Sequence, residues 1–452
     1  TLQTEAGRWT KAGAMALKAR ILQFAASPLF NDSQGYYGGT SEAEQKRLVW
    51  YGEYKPEYWT RFKEACKAFI DKLSTDGGYS LVQADGTRPQ DYRLAYRTAY
   101  FDEGSSEIIH SVHWLNKPNS QYVWYSWMGH NRTVYSVTQE YVEMFPWSDG
   151  TPFDWDKAET EGKLNQMFIK GDSVEGKALL QNVLLTRDPR LYETAIVNGT
   201  PSTLDWTTAA MTGNPYETWV GGSTSNNNSV DEQYGFATSY RNMKYSFGEY
   251  SGHGLQWATI RLSDVYLMYA EALIQTNTNG NFKDAIEWID KVRERVGMKG
   301  LVECNPDKDL LHNKELLMQE LLRERACELG FENARYMDMV RYKMKSTFEK
   351  PLHGIRIYRM VKNPTTGKFE RCNMQWYKAK KGQTFTCSDG TKVKVAYKDG
   401  IQQPTVFEYE KFELNKGKRK WWTQGFDPKW YLTPFKTTEI NKGYGLVQNP
   451  GW

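Results

Sequence analysis

Apolar residues recur at helical spacing near the start of the chain and again past its middle, and the stretch between is patterned differently. From Thr10 to about Ala26 the run "TKAGAMALKARILQFAA" predicts a helix, with Thr10 as its cap and Pro28 as its stop. Its alanines predict close contact with another helix. Between about Pro56 and Leu73, Trp59, Phe62, Cys66, Phe69 and Leu73 stand at i, i+3, i+7, i+10 and i+14. That is one apolar stripe on a helix, closed by "TDGG". Residues 77–250 instead hold short β-like runs such as "SEIIHSVHW", broken by Gly, Asn and Pro clusters. "VTQEYVEMF" predicts one short helix inside this region, and "GGSTSNNNS" a polar loop.

Helical pattern returns at "IRLSDVYLMYAEALIQTN", with Ser263 as the expected cap and Val265, Met268 and Ala272 on one face. "FKDAIEWIDKVRERVG" follows, with Ala285, Trp288, Ile289, Val292 and Val296 expected inward. Two helices in about 35 residues match the tetratricopeptide period without its strict consensus, so the pair is TPR-like. "NKELLMQELLRERACELGF" and "ARYMDMVRYK" form a further pair. After them "SDGTKVKVAYKDG" predicts a hairpin in a β-rich insertion. The division expected is a helical scaffold at 1–76, a loop-rich and partly β ligand-binding region at 77–250, TPR-like pairs at 251–350, and the insertion with the C-terminal segment at 351–452. The fold class is mainly α. The chain enters its first helix almost at once, so an upstream segment is expected to complete the scaffold.

Composition narrows the functions. Of 452 residues, 14% are aromatic, and Trp 17 and Tyr 29 outnumber Phe 19, so the excess lies in rings with a polar handle. Such rings suit wet interfaces and ligand platforms. The net charge of +4 is no footprint for nucleic acid. Five scattered cysteines without CxxC spacing give neither a zinc site nor a disulfide framework. Cys372 and Cys387 could meet across a hairpin. No run approaches the roughly 18 apolar residues of a membrane span.

"SQYVWYSWMGHN", Ser120 to Asn131, carries the strongest candidate chemistry. In an alternating strand Tyr122 and Trp124 share one face and Tyr125 and Trp127 the other, so not all four rings can enter one core. Asn131 adds an amide, and Trp114 and Tyr135 flank the stretch. Sugars offer an apolar C–H face and a polar rim, which stacking rings edged by amides match at low entropic cost. A packed loop is the alternative. Asp205, Trp206, Tyr216 and Trp219 stand on a second aromatic loop that could close on a ligand. In "MFPWSDGTPFDWDK", Asp149, Asp154 and Asp156 are explained by turn chemistry; a structural calcium there is the one cofactor-like option, and no other cofactor is expected. His110 and His113, on a strand, point to opposite faces and make a poor metal pair. "RERACE", Arg323 to Glu328, predicts ion pairs on or between helices rather than catalysis. In "NKGKRKWW" a basic run meets a tryptophan pair, read as a solvated hairpin tip.

Seven segments in this order resemble the SusD/RagB family, the nutrient-binding surface lipoproteins of Bacteroidetes. They are "GRWTKAGAMALKARILQFAASPLF", "SEIIHSV", "RDPRLYETAIVNG", "IRLSDVYLMYAEAL", "VRERVGM", "LLRERACELGFENARYMDMVRYK" and "YLTPFKTTEINKGYGLVQNPGW". The resemblance implies a non-enzymatic lid on a TonB-dependent, SusC-like outer-membrane transporter. It captures oligosaccharides, or peptides in the RagB branch. It also implies a surface-exposed location and a lipid-modified Cys upstream of this chain. A glycosidase, the remaining rival, would need two convergent carboxylates about 5–9 Å apart.

Overall fold

The computed structural model describes residues 7–102, 104–114, 136–168, 185–204, 211–224, 238–245, 255–414 and 420–452. It is mainly helical. Helix α1, Lys11–Ala26, begins where Thr10 Oγ1 accepts the Gly13 amide at 3.0 Å. Buried Ala16, Ala19 and Ala26 let it lie close to α2, Glu57–Asp76, whose Trp59, Phe62, Cys66 and Phe69 form the expected stripe. Gly77, at φ 66°, ends α2 in a conformation that costs a Cβ-bearing residue more. Helix α3 spans Pro89–Phe101, inside the region read from the sequence as loop and short strand.

Helix α4, Leu262–Gln275, completes the first core with Val265, Met268 and Ala272. Arg20 binds Asp264 at 2.5 Å and Gln23 Nε2 donates to Glu271 at 2.7 Å, so α1 and α4 share polar ties as well as apolar contact. The cap of α4 is Arg261 rather than Ser263. Ser263 is drawn inside the helix because its hydroxyl accepts from Arg261 Nη1 at 2.9 Å. Helix α5, Lys283–Glu294, buries Ala285, Ile289 and Val292 as expected. Trp288 is only half-buried, edge-on to Tyr266 and Tyr269. Helices α6, Lys314–Glu328, and α7, Ala334–Arg341, follow.

The β elements are small. Strands β1, Ile108–Trp114, and β4, Leu255–Arg261, pair antiparallel as a two-stranded ribbon. Strands β2, Pro201–Leu204, and β3, Met211–Pro215, form a hairpin. Strands β5, His353–Lys362, β6, Phe369–Cys372, and β9, Phe407–Glu413, make a three-stranded sheet with β5 central. Between β6 and β9, Thr384–Thr386 (β7) and Lys392–Lys394 (β8) form the hairpin expected from "SDGTKVKVAYKDG". One large core joins Tyr96, Leu191, Tyr216 and Trp219 to Ile355, Ile357, Trp376 and Phe407. It therefore runs across the boundaries drawn at 250 and 351.

Candidate functional site

The ribbon is held at one end by charge. Glu107, just before β1, accepts from Arg261 at 2.7 Å and from Arg295 at 3.1 Å. Arg261 ends β4 and also reaches Glu328 at 3.0 Å and Glu332 at 2.9 Å. Arg295 pairs with Glu328 as well. Arg190 binds Asp188 at 2.7 Å, Glu324 at 2.6 Å and Glu328 at 3.1 Å. Arg293 meets Glu324 at 3.0 Å, and Lys244 meets Glu332 at 2.5 Å. Five carboxylates (Glu107, Asp188, Glu324, Glu328, Glu332) thus face five cations (Arg190, Lys244, Arg261, Arg293, Arg295), every side chain at most 5% exposed. Balanced charge is what makes such burial tolerable.

The electrostatics follow from this packing. Burial alone would raise the Glu324 and Glu328 carboxyls, but the surrounding arginines outweigh it and hold both below the ordinary range. For Lys244 burial wins, and its ammonium falls to about 8 despite Glu332. The "RERACE" helix does make inter-helix ion pairs, but in the interior rather than on a surface. Sequence spacing shows that Glu324 and Glu328 share a face; it carries no signal that four arginines from three other places meet them there.

The far end of the ribbon pairs Trp114 with Leu255. The chain leaves β1 here into 115–135 and enters β4 here from 246–254, so both segments are rooted at one place. Tyr122, Trp124, Tyr125, Trp127, Asn131 and Tyr135 lie in the first of them, outside the described residues. The second segment, which sequence reasoning did not select, contains Tyr250 and His253. Just inside the root, Trp257 stacks on buried Tyr245 at 4.7 Å. The β2–β3 hairpin closes at Leu204 opposite Met211, and Trp206, between them, also lies outside the described residues.

Trp219 requires a correction. It is fully buried, not a ring on a ligand loop. Its indole N–H donates to the Met374 carbonyl at 3.0 Å and its ring packs on Phe407 at 5.5 Å. Nearby, Glu217 Oε1 accepts from the Trp376 and Tyr377 amides at 3.1 and 2.6 Å. A Cβ on Gly221 would lie 1.9 Å from the Asn373 carbonyl oxygen, so the backbones approach closely here. This part of the presumed ligand loop is a seam onto the insertion.

The remaining candidates are committed locally. Asp149 accepts from Thr151, and Asp154 caps a short helix through the Lys157 amide at 2.8 Å. His110 Nδ1 meets Thr259 Oγ1, and His113 Nε2 meets Ser111 Oγ. All five cysteines are buried free thiols, Cys372 and Cys387 included. Among the described residues, Glu370, Cys387 and Asp389 come within metal-ligating distance of one another. Glu370 is already taken by Asn363 and the Ser388 amide. No helix among the described residues is long and apolar enough to cross a membrane.

Comparison with known proteins adds a family. A model described as "SusD family" matches residues 94–452. A SusD-like protein of Bacteroides ovatus is 29% identical over 110 residues, which cover 23% of this chain and 18% of that protein. Two solved structures share the fold over 99% of this chain. One is a SusD-like protein of Bacteroides fragilis, with TM-score 0.57, 18% identity and 66% of its own length covered. The other is BT4246, with TM-score 0.61, 19% identity and 72% of its length covered. The chain thus spans about two thirds of the Bacteroides fragilis relative and a small part of the Bacteroides ovatus one.

Proposed function

This chain belongs to the SusD family, and we propose that it is a non-catalytic surface protein that captures oligosaccharides and passes them to a SusC-like TonB-dependent outer-membrane transporter, anchored by a lipid on a segment upstream of this chain. The observation that carries the reading is the ribbon. A ten-charge buried network fixes its base, and its far end roots the segment that carries Tyr122, Trp124, Tyr125 and Trp127. A rigid support under stacking rings lowers the ordering cost of binding.

Isothermal titration with neutral and acidic hexasaccharides, and separately with a peptide mixture, tests it. Trp124→Ala or Trp127→Ala should weaken sugar binding by about 1–3 kcal/mol, as for a hot-spot ring, with an unchanged melting temperature. Binding of peptides alone would move the protein to the RagB-like reading, and turnover of a bound glycan would end the non-catalytic one. The transporter is checked separately. Gentle detergent extraction of native outer membranes should bring down a TonB-dependent transporter with this protein, and recovery of free monomer only would count against the partnership.

A further inference from the structure

We propose that the β7–β8 hairpin of the insertion, with the turns at its base, is a binding surface for acidic polysaccharide, an inference that rests on the glycan-binding reading above and names a substrate class for it. Residues 376–400 carry six lysines (Lys378, Lys380, Lys381, Lys392, Lys394 and Lys398) and two acidic residues, Asp389 and Asp399. The resulting +4 equals the net charge of the whole chain, so the remaining residues are neutral in sum and the excess sits on one hairpin. All six lysines are exposed. Among the described residues, none of the six ammonium groups has an ion-pair partner. On the adjoining sheet charge is matched, Arg356 by Glu410 and Arg371 by Glu408. An unmatched cluster of like charge repels itself, and a polyanion relieves that repulsion.

The fold gathers these charges. Phe385 and Val393, paired across the hairpin, pack on Val361, Cys372 and Val395. Strand alternation then turns Lys392 and Lys394 outward, with Thr386 and Thr384 opposite them. Three bonds close the preceding turn onto the base of the hairpin. The Val395 amide donates to the Gln383 carbonyl at 3.1 Å, the Gly382 amide to Asp399 Oδ2 at 2.8 Å, and the Tyr397 amide to the Trp376 carbonyl at 2.9 Å. Lys380, Lys381, Lys394 and Lys398 are thereby drawn to one end of the hairpin. Rings stand at the same end. Tyr397 is 47% exposed, 5.4 Å from Tyr377 and edge-on to Trp376 at 4.9 Å. Trp376 is fixed behind it by its indole N–H on the Ile401 carbonyl at 2.9 Å. A sugar chain bearing carboxylates or sulfates meets both features, its anions on the lysines and its C–H faces on the rings. The patch holds no arginine, so it lacks the forks that grip phosphate two-handed. No large aliphatic side chain in 376–400 is exposed to enter a bilayer.

The test uses charge. Wild type, a variant combining Lys380→Gln, Lys381→Gln, Lys394→Gln and Lys398→Gln, and Tyr397→Ala are titrated with polygalacturonate, chondroitin sulfate and neutral xylan and mannan, at low and high salt. Wild type should bind an acidic polymer, more weakly as salt rises, and the polymer preferred tells carboxylate from sulfate. The lysine variant should lose about ten-fold on that polymer, with its melting temperature and any affinity for neutral glycans unchanged. Tyr397→Ala should lose several-fold and keep the salt dependence. Equal affinity for the acidic polymer in wild type and the lysine variant would overturn the proposal. So would capture of phosphatidylglycerol vesicles or duplex DNA as tight as that of the polymer and lost with the same lysines, since the patch would then take any polyanion. Binding of neutral glycans alone would overturn it and leave the main reading standing. Wild type binding none of the sugars would remove both readings.

Discussion

Replacing Arg261 by Met should destabilise the fold by about 3–5 kcal/mol, read as a lower denaturation midpoint, because it strands buried carboxylates that this arginine neutralises together. Arg261 meets Glu107, Glu328 and Glu332 at once. Its Nη2 also donates to the Glu328 carbonyl at 3.0 Å. Methionine fills much of the volume but leaves these acceptors to share Arg295, Arg190 and Lys244. The double change Arg261→Met with Glu332→Gln should recover part of the loss, since it removes one stranded charge. An unaltered midpoint in the single variant would mean that water reaches the network and that the ribbon is not clamped as described.

Acid should act without mutation on this network and on the buried Asp264 pairs beside it. Burial would raise Asp264, but Arg20 and Arg325 outweigh it and hold the carboxyl at about 2. Glu324 and Glu328 are likewise depressed. A carboxyl with a depressed folded pKa stabilises above its unfolded value and stops doing so as pH falls toward its folded one. Melting temperature should therefore hold as pH drops to about 5, then fall steeply below about 4. Lys244 works in the same direction in a more alkaline window. Its folded value of about 8 lies below the ordinary 10.5, so its burial cost is relieved as pH rises between them.

Trp219→Ala should cost about 3–5 kcal/mol through the cavity it leaves, while sugar affinity measured well below the new melting temperature stays within about two-fold. The ring closes the seam between the 216–222 loop and the insertion, with its indole on Met374 and Phe407 at its face. Trp124 and Trp127 are expected to show the opposite pair of results. A Trp219 variant that melts normally but loses its sugar would restore this residue to the ligand surface and place the core elsewhere.

Much of the scaffold was legible because its causes are local. Thr10 caps α1, the stripe from Trp59 to Phe69 is buried, and the hairpin around Asp389 forms, each from residues within a few positions of one another. Strand β1 was legible for the same reason. The Ser263 cap was misread because the hydroxyl had a competing partner in Arg261 that no helix rule contains. Of the candidate site, the sequence located the aromatic segment after β1. It did not show that 246–254 shares the same root, because strand pairing over 140 positions leaves no trace in either strand alone.

What the sequence determined by itself is the place of helices α1, α2, α4 and α5 and of strand β1, while α3, inside a region that reads as loop and short strand, escaped it. Periodicity, caps and turn residues act over a few positions, so they survive in the linear text. Only the tertiary structure decided which charges are interior and that the Trp219 ring is buried rather than on a loop surface. Glu324 looks like a surface residue until Arg190 and Arg293 meet it, and Trp219 looks like a loop residue until Met374 and Phe407 close over it. Burial is a property of what arrives from elsewhere in the chain, and a charge or an indole bears no mark of its partner.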